Sequence, residues 1–301
     1  MSHRPVLLNE VIQALAPKPG EFFVDGTMNG GGHAAEILKR ILPGGRLLGV
    51  DWDKRILERG YSNVAERLEA PEEEVRRVLT TVHGNYADIP VTLSERALPK
   101  ADGFLLDLGF SSEQLEGGGR GFSFQRDEPL YMTYDGSRKP VAEMLRELDE
   151  EELAKVIFEL SGERFSRKIA KAIKAREKFG PIVSSGELAE VIRKAVPGSY
   201  ERGRIDPATR TFQALRIYAN DELGNLRRVL ERLPEMMAKG GRVAVITFHS
   251  LEDKIVKEAF RELVKEKKAE LLSKKPITAS EEEIKENSRS RSAKLRALSV
   301  L

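Results

Sequence analysis

EFFVDGTMNGGGHAAEIL, residues 21–38, is a short apolar run ending in Asp25, then a loop with glycine at 26, 30, 31 and 32, then a segment that turns helical near His33. Strand, glycine-rich turn and helix in that order is how an open parallel α/β sheet begins at a ligand site, because glycine lets the backbone approach a bound molecule closely. Working outward, residues 47–50, 78–82, 104–106 and 243–248 form further short apolar runs separated by amphipathic stretches. This alternation predicts a parallel sheet covered by helices. The last of these runs comes roughly 135 residues after the fourth, too far for an ordinary βα connection. A second body is therefore expected between strands four and five.

The intervening segment opens glycine-rich, EGGGRGFSFQRDEPLYMTYDGS, and becomes helical from about residue 141. Leu153, Val156, Ile157 and Leu160 share one helical face, and Ser184 with Glu187 reads as a capping box. Domain limits of 1–113 with 217–301 for the sheet, and 114–216 for an inserted all-helical domain, follow. Residues 160–216 hold 13 Lys and Arg against 6 Asp and Glu, although the whole chain carries only +2. A basic module is hidden in a balanced chain, and an excess of that size favours a polyanionic partner. Beyond it, Gly240-Gly241 is expected to turn the chain into the fifth strand, Met236 and Met237 to be core, and the terminal RALSVL to be an edge strand or a docked tail.

At 301 residues, 40% of them apolar, the chain can bury a core without staples. It has no cysteine, which excludes disulfides, thiolate metal sites and every cysteine nucleophile. No metal site is expected. The opening MSHRPVLLNEVIQAL has no signal-peptide apolar region, and no run approaches the roughly 18 apolar residues of a membrane span. A cytoplasmic location without membrane contact is expected.

The strand ends carry the chemistry. Asp25 closes the first strand, Asp51 the second, Asn85-Tyr86 follows the third at His83-Gly84, and Asp107 closes the fourth, all at the carboxyl edge where open α/β sheets bind ligands. A carboxylate at Asp51 suits the two hydroxyls of a ribose, while Asn85 and Tyr86 suit an adenine by bonding and stacking. The partial fingerprint Gly30-x-Gly32-x-x-Ala35 admits a nicotinamide cofactor, but Asp25 faces the place where a pyrophosphate would sit. An adenosine ligand bearing positive charge and no phosphate, S-adenosylmethionine, fits the set better, and the reaction class is methyl transfer. Two rivals stand beside it: a nicotinamide-dependent oxidoreductase, and a non-catalytic RNA-binding module on a degenerate nucleotide fold.

The blocks DGTMNGGGH, LLGVDWD, DLGFSSEQL, GRGFSF, PATRTFQALRIYANDEL, TFHSLEDKIVK and SRSAKLRAL resemble, almost end to end, the bacterial MraW or RsmH family of S-adenosylmethionine-dependent methyltransferases acting on N4 of a cytidine in small-subunit (16S) ribosomal RNA. The resemblance implies a Rossmann-like class I methyltransferase sheet of the α/β class with an inserted helical domain. It implies a cofactor held by Gly31, Gly32, His33, Asp51, Tyr86, Asp107 and Gln114, and small-subunit ribosomal RNA or the assembled subunit as partner. Two departures stand out: Met28-Asn29 where the family has DGTLGGGGH, and residues 129–135 where it has PLDMRMD. Asparagine tolerates left-handed backbone, so the first is expected to keep the loop.

The exocyclic amine of cytosine is a poor nucleophile because its lone pair is delocalised into the ring. A carboxylate accepting an N4 hydrogen would localise that pair and stabilise the developing charge, and Asp107 is the candidate. The base must be unstacked to reach a pocket. Phe110, Phe122 and Phe124 are candidates to stack on it, Arg204, Arg210 and Arg216 to meet phosphates, and His249, just past the fifth strand, to touch the acceptor nucleotide. Against each stands the plainer role of aromatic packing, surface charge or a structural hydrogen bond.

Overall fold

The computed structural model describes residues 5–109, 119–200 and 205–301. They fall into two compact units, 1–111 with 223–301, and 112–222. In the first unit, seven strands make one sheet: β1 (Phe22–Asp25), β2 (Arg46–Asp51), β3 (Leu79–His83), β4 (Ala101–Asp107), β5 (Met237–Thr247), β6 (Ala269–Leu271) and β7 (Lys294–Val300). Their spatial order is β3-β2-β1-β4-β5-β7-β6, with β1 to β5 parallel and β7 antiparallel to both its neighbours. The chain runs outward from β1 to β3 and then returns to β4 on the other side of β1. That reversal makes the carboxyl ends of β1 and β4 a topological switch point, where crossover helices leave on opposite faces and a crevice opens.

The unit's helices are α1 (Leu8–Leu15), α2 (Gly32–Ile41), α3 (Lys54–Leu68), α4 (Glu72–Val78) and α5 (Ile89–Glu95) among the early strands. In the second unit come α6 (Val141–Glu147), α7 (Glu150–Ser161), α8 (Ser166–Glu177), α9 (Ser185–Ala195) and α10 (Ala208–Asn220). They are followed in the chain by α11 (Glu222–Glu231), α12 (Leu233–Met236), α13 (Ser250–Lys265) and α14 (Glu281–Glu286). β1 is buried along its whole length, which is why its sequence is an unbroken apolar run with no alternation. Val11, Leu15, Ile37, Leu38 and Ile41 of α1 and α2 pack with Phe23, Leu47 and Leu105 of the sheet. Each such side chain contributes about 1.5–3 kcal/mol by leaving water.

The second unit has its own core: Leu145, Leu153, Ile157, Ile169, Ile173, Leu188, Ile192, Phe212 and Leu215, one stripe from each of five helices. α10 runs unbroken past residue 216, where the sequence placed a boundary, because Ala219 belongs to the same core as Leu215. At α9, Ser184 accepts the amide of Glu187 at 3.3 Å, but the Glu187 carboxylate pairs with Arg176, so only half of the expected capping box forms.

Two other expectations change. β5 begins at Met237, and Gly240-Gly241 lies inside it; the register with β4 shifts between Ala101 and Gly103 and Gly240 takes φ 80°, so the glycines make an irregularity in a strand and not the turn before one. The terminal RALSVL lies in β7, an inner strand, because the three-residue β6 pairs outside it and forms the edge. AEL is too short and too polar to be read as a strand. Met236 and Met237 are core. Among the described residues, no helix is long and apolar enough to cross a membrane.

Candidate active site

Registers place three carboxylates side by side at the switch point. Asp25 of β1 lies level with Leu105 of β4 and Gly49 of β2, so Asp107 and Asp51 each stand two residues beyond it along their strands. All three are buried, at 1%, 5% and 4% exposure for Asp25, Asp51 and Asp107. Among the described residues no lysine or arginine pairs with any of them; the one basic group in reach is His33, whose Nδ1 is 3.6 Å from Asp107 Oδ2.

The loop between β1 and α2 ties the three together. Thr27 donates its amide to Asp25 Oδ1 at 3.1 Å and accepts the amide of Asp107 on its hydroxyl at 2.6 Å. Asn29 gives its amide to Asp51 Oδ2 at 2.9 Å and its side-chain NH2 to the Asp107 carbonyl at 3.3 Å. It does so from the left-handed region, φ 46°, as its residue type allows. Met28 is buried between β2 and α3, where a Cβ on Gly49 would come 2.8 Å from its sulfur and one on Gly60 2.7 Å from its methyl group.

The loop glycines serve the protein's own packing. Gly31 has φ 73° and a Cβ there would lie 2.8 Å from Val64, while one on Gly32 would strike Pro5 at 2.3 Å. The space left by each missing side chain is thus filled by this chain. Helix α2 starts at Gly32, one residue before His33.

Burial governs the charges. Loss of water pushes Asp25 from 3.8 up to about 7, with the Thr27 amide pulling down and the charges of Asp107 and Asp51 pushing further up. Desolvation also raises Asp107 to about 7, with Gly109 lowering and Glu252 raising it. Asp51 rises for the same reason, restrained to about 6 by the amides of Asp53 and Asn29. Among the described residues Asp25 Oδ2 has no hydrogen-bond partner although it is buried. An orphaned carboxylate oxygen among acids suits a positive charge or a hydrogen-bond donor.

His33 Nε2 lies 3.0 Å from the Val6 carbonyl. A carbonyl only accepts, so Nε2 carries its hydrogen and Nδ1 meets Asp107 either bare or protonated. One proton can therefore be held between the ring and Asp107.

The family model of the MraW methylase family matches residues 1–301. Among curated relatives, the ribosomal RNA small subunit methyltransferase H of Syntrophotalea carbinolica is 45% identical over 98% of this chain and 97% of that protein. That of Deinococcus radiodurans is 47% identical over 98% and 88%, and that of Symbiobacterium thermophilum 44% identical over 98% and 96%. The chain belongs to the MraW methylase family. Its sheet is accordingly the Rossmann-like class I methyltransferase sheet read from the sequence.

Within this MraW methylase the other expected residues sort clearly. Tyr86 is half-buried in a short 3₁₀ turn, Tyr86–Asp88, that follows β3. Asn85 spends its side-chain oxygen on the amide of Ala87 at 2.9 Å, so it is the turn's cap. His249 is the N-cap of α13: Nδ1 accepts the Glu252 amide at 3.4 Å, and Glu252 Oε2 accepts the amides of Phe248 and His249 at 2.8 and 3.2 Å. Its Nε2 lies 3.0 Å from Glu252 Oε1 but at an angle that makes no hydrogen bond, leaving a buried donor unspent.

Arg210 lies in the helical unit, where it donates to the Tyr200 hydroxyl at 2.7 Å and sits 3.6 Å from the fully buried Glu163. Arg216 clamps Glu222 at 2.8 and 2.9 Å. Phe122 stacks on Tyr134 and Phe124 meets Phe212 edge-on, so both serve the helical core. Phe110, Gln114 and Arg204 lie outside the described residues.

Sequence reasoning missed Thr27, Asn29 as a tie, and Glu252. The last was legible as the acid three residues after an N-cap, but it was hidden in a helix of mixed charge.

Proposed function

We propose that this chain transfers a methyl group from S-adenosylmethionine to N4 of a cytidine in small-subunit ribosomal RNA, with the strand-end acids as its cofactor site. The observation that carries the reading is the trio Asp25, Asp51 and Asp107, buried, unpaired with lysine or arginine among the described residues, and including an oxygen with no partner. Such a set rejects a pyrophosphate and accepts a cation, which weighs against a nicotinamide cofactor. When bound, the sulfonium group supplies an electrophilic methyl group.

The chain's own residues supply the rest. Asp25 and Asp107 hold positive charge at the switch point. Asp51, fixed by two backbone amides, keeps lone pairs for ribose hydroxyls, and Tyr86 offers a ring for an adenine. Gly31, Gly32 and His33 set the loop against which the cofactor lies, and Gln114 is carried over from the family pattern. Asp107 accepts a hydrogen of the attacking amine, and His33 Nδ1 behind it takes up or returns the proton. The helical unit, with Arg210 among its basic residues, meets the RNA, and His249, just past β5, is carried over as a contact to the acceptor nucleotide. The RNA reading places the chain in the cytoplasm, with free RNA or the assembled small subunit as partner.

Two titrations and a label decide it. Trp52, the one tryptophan, adjoins Asp51 and reports binding by fluorescence. S-adenosylmethionine should quench or shift it and reduced nicotinamide cofactor should not; the reverse refutes the reading. Label from the methyl group should enter purified small-subunit RNA at a cytidine N4. Cofactor binding with no incorporation into RNA or subunit would leave a binding module.

A further inference from the structure

We propose that the outward face of α8, extended by Phe179, is a docking surface for single-stranded RNA. The proposal rests on the RNA reading above and deepens it, by assigning substrate binding to a particular face. Arg164, Arg167, Lys168, Lys171 and Lys178 are all exposed. At 3.6 residues per turn Arg167, Lys168 and Lys171 fall within about 100° of one another, opposite the face that buries Ile169, Ala170 and Ile173, with Arg164 just before the helix and Lys178 just after it.

Many exposed cations on the other helices pair with an acid one turn away, although Arg77, Arg146 and Arg261 have no acidic partner among the described residues. Lys39 and Arg40 pair with Glu36, Arg76 with Glu72, Lys155 with Glu159, Lys194 with Glu190, Lys254 with Glu258 and Lys265 with Glu262. On α8, among the described residues, Arg176 alone finds an acid, Glu187 of α9. The single acid of α8, Glu177, accepts the amide of Ile182 at 2.7 Å, and the preceding Glu163 is buried against Tyr200. Among the described residues Arg167, Lys171 and Lys178 have no acidic partner.

The placement is unfavourable for the free protein. The first turn of α8 holds Arg167 and Lys168 with no acid and no side-chain cap, so two cations face the positive end of the helix dipole. A polyanion laid along the face relieves that repulsion. Two of the cations are already oriented over rings: the Arg164 guanidinium lies 4.8 Å from the Tyr200 centroid, and Lys168 Nζ lies 5.5 Å from that of Phe165.

The aromatic decides which polyanion. Phe179, next to Lys178, is 87% exposed. A phenylalanine so exposed has no work in a core, whereas an unpaired base stacks on it; in a duplex the bases are closed to it.

The test uses the full chain and a fluorescein-labelled polyuridine strand, with anisotropy titrations across a range of salt. Replacing Arg167, Lys171 and Lys178 together by Gln is expected to weaken binding at least about tenfold and to flatten the salt dependence, by about 0.7 in slope for each phosphate no longer neutralised. Exchanging them as Arg167→Lys, Lys171→Arg and Lys178→Arg should retain both. Phe179→Ala should weaken polyuridine by about fivefold or more while leaving duplex RNA unchanged. Unaltered affinity and slope in the Gln variant overturn the surface, and equal loss on duplex RNA for Phe179→Ala overturns its single-stranded character. Trp52 titration with S-adenosylmethionine separates the two readings: if wild type binds no cofactor, the methyl-transfer reading fails, while the α8 face is still judged by the RNA titrations alone.

Discussion

Replacing Asp25 by Asn should remove a pH-dependent weakness from the sheet unit. The carboxyl is raised from 3.8 to about 7, chiefly by burial. At about 1.36 kcal/mol per pH unit, ionising it in the folded protein therefore costs up to about 4 kcal/mol more than in the unfolded chain. Between these two values the folded state holds the proton and the unfolded state has released it, so stability falls as pH rises through the window. The contribution is fully present below pH 3.8 and lost above about pH 7. Against a typical total of about 5–15 kcal/mol, this is a large fraction. Asn keeps the acceptor for the Thr27 amide and cannot ionise. The assay is urea unfolding followed by Trp52, which belongs to the same unit, between about pH 5 and pH 8. Any effect of the substitution unrelated to ionisation is constant, so the informative quantity is the change with pH in the difference between variant and wild type. That difference should move in favour of the variant by about 2–3 kcal/mol between pH 5 and pH 8, the part of the window that the assay spans. Parallel curves would refute the claim that Asp25 is held protonated by its surroundings.

The same protonation predicts that affinity for S-adenosylmethionine rises with pH, up to about tenfold per unit through the range near 6 to 7 where Asp25, Asp51 and Asp107 titrate, because a cation favours the ionised acids. Calorimetry in buffers of different ionisation heat should find protons released, and a pH-independent affinity contradicts the cation site. Asp51→Ala should weaken cofactor binding by about 1–3 kcal/mol, the worth of a hydrogen bond to a charged group; unchanged affinity removes Asp51 from the ribose. His249→Asn keeps an N-cap of comparable strength, so folding should change by less than about 1 kcal/mol while methyl transfer falls. Full activity in that variant assigns His249 to helix capping alone.

Much of this was legible because the fold and the site are written in the same residues. A strand buried on both faces must be an apolar run, and a parallel strand that meets a ligand must end in a polar residue, so Asp25, Asp51 and Asp107 marked both the sheet and its working edge. The positions of the glycines followed from the motif, but their packing did not, because Val64 and Pro5, which fill the space beside Gly31 and Gly32, come from distant parts of the chain. His249 shows the same limit. Its place after β5 was evident, whereas the Glu252 partnership that makes it a cap depends on where the helix starts. The order β5-β7-β6 could not be read, because β6 carries three residues and almost no pattern, and without it the last strand looks like an edge.

The interior position of β7 constrains how the protein is made. Its ladder covers β5 from Arg242 to Thr247, yet it follows the six other described strands of the sheet along the chain. Until those residues leave the ribosome, the parallel half of the sheet presents an open row of amides and carbonyls, the surface that invites pairing with a neighbouring polypeptide. Nascent or truncated chains lacking β7 should therefore be aggregation-prone and depend on chaperones until β7 pairs with β5.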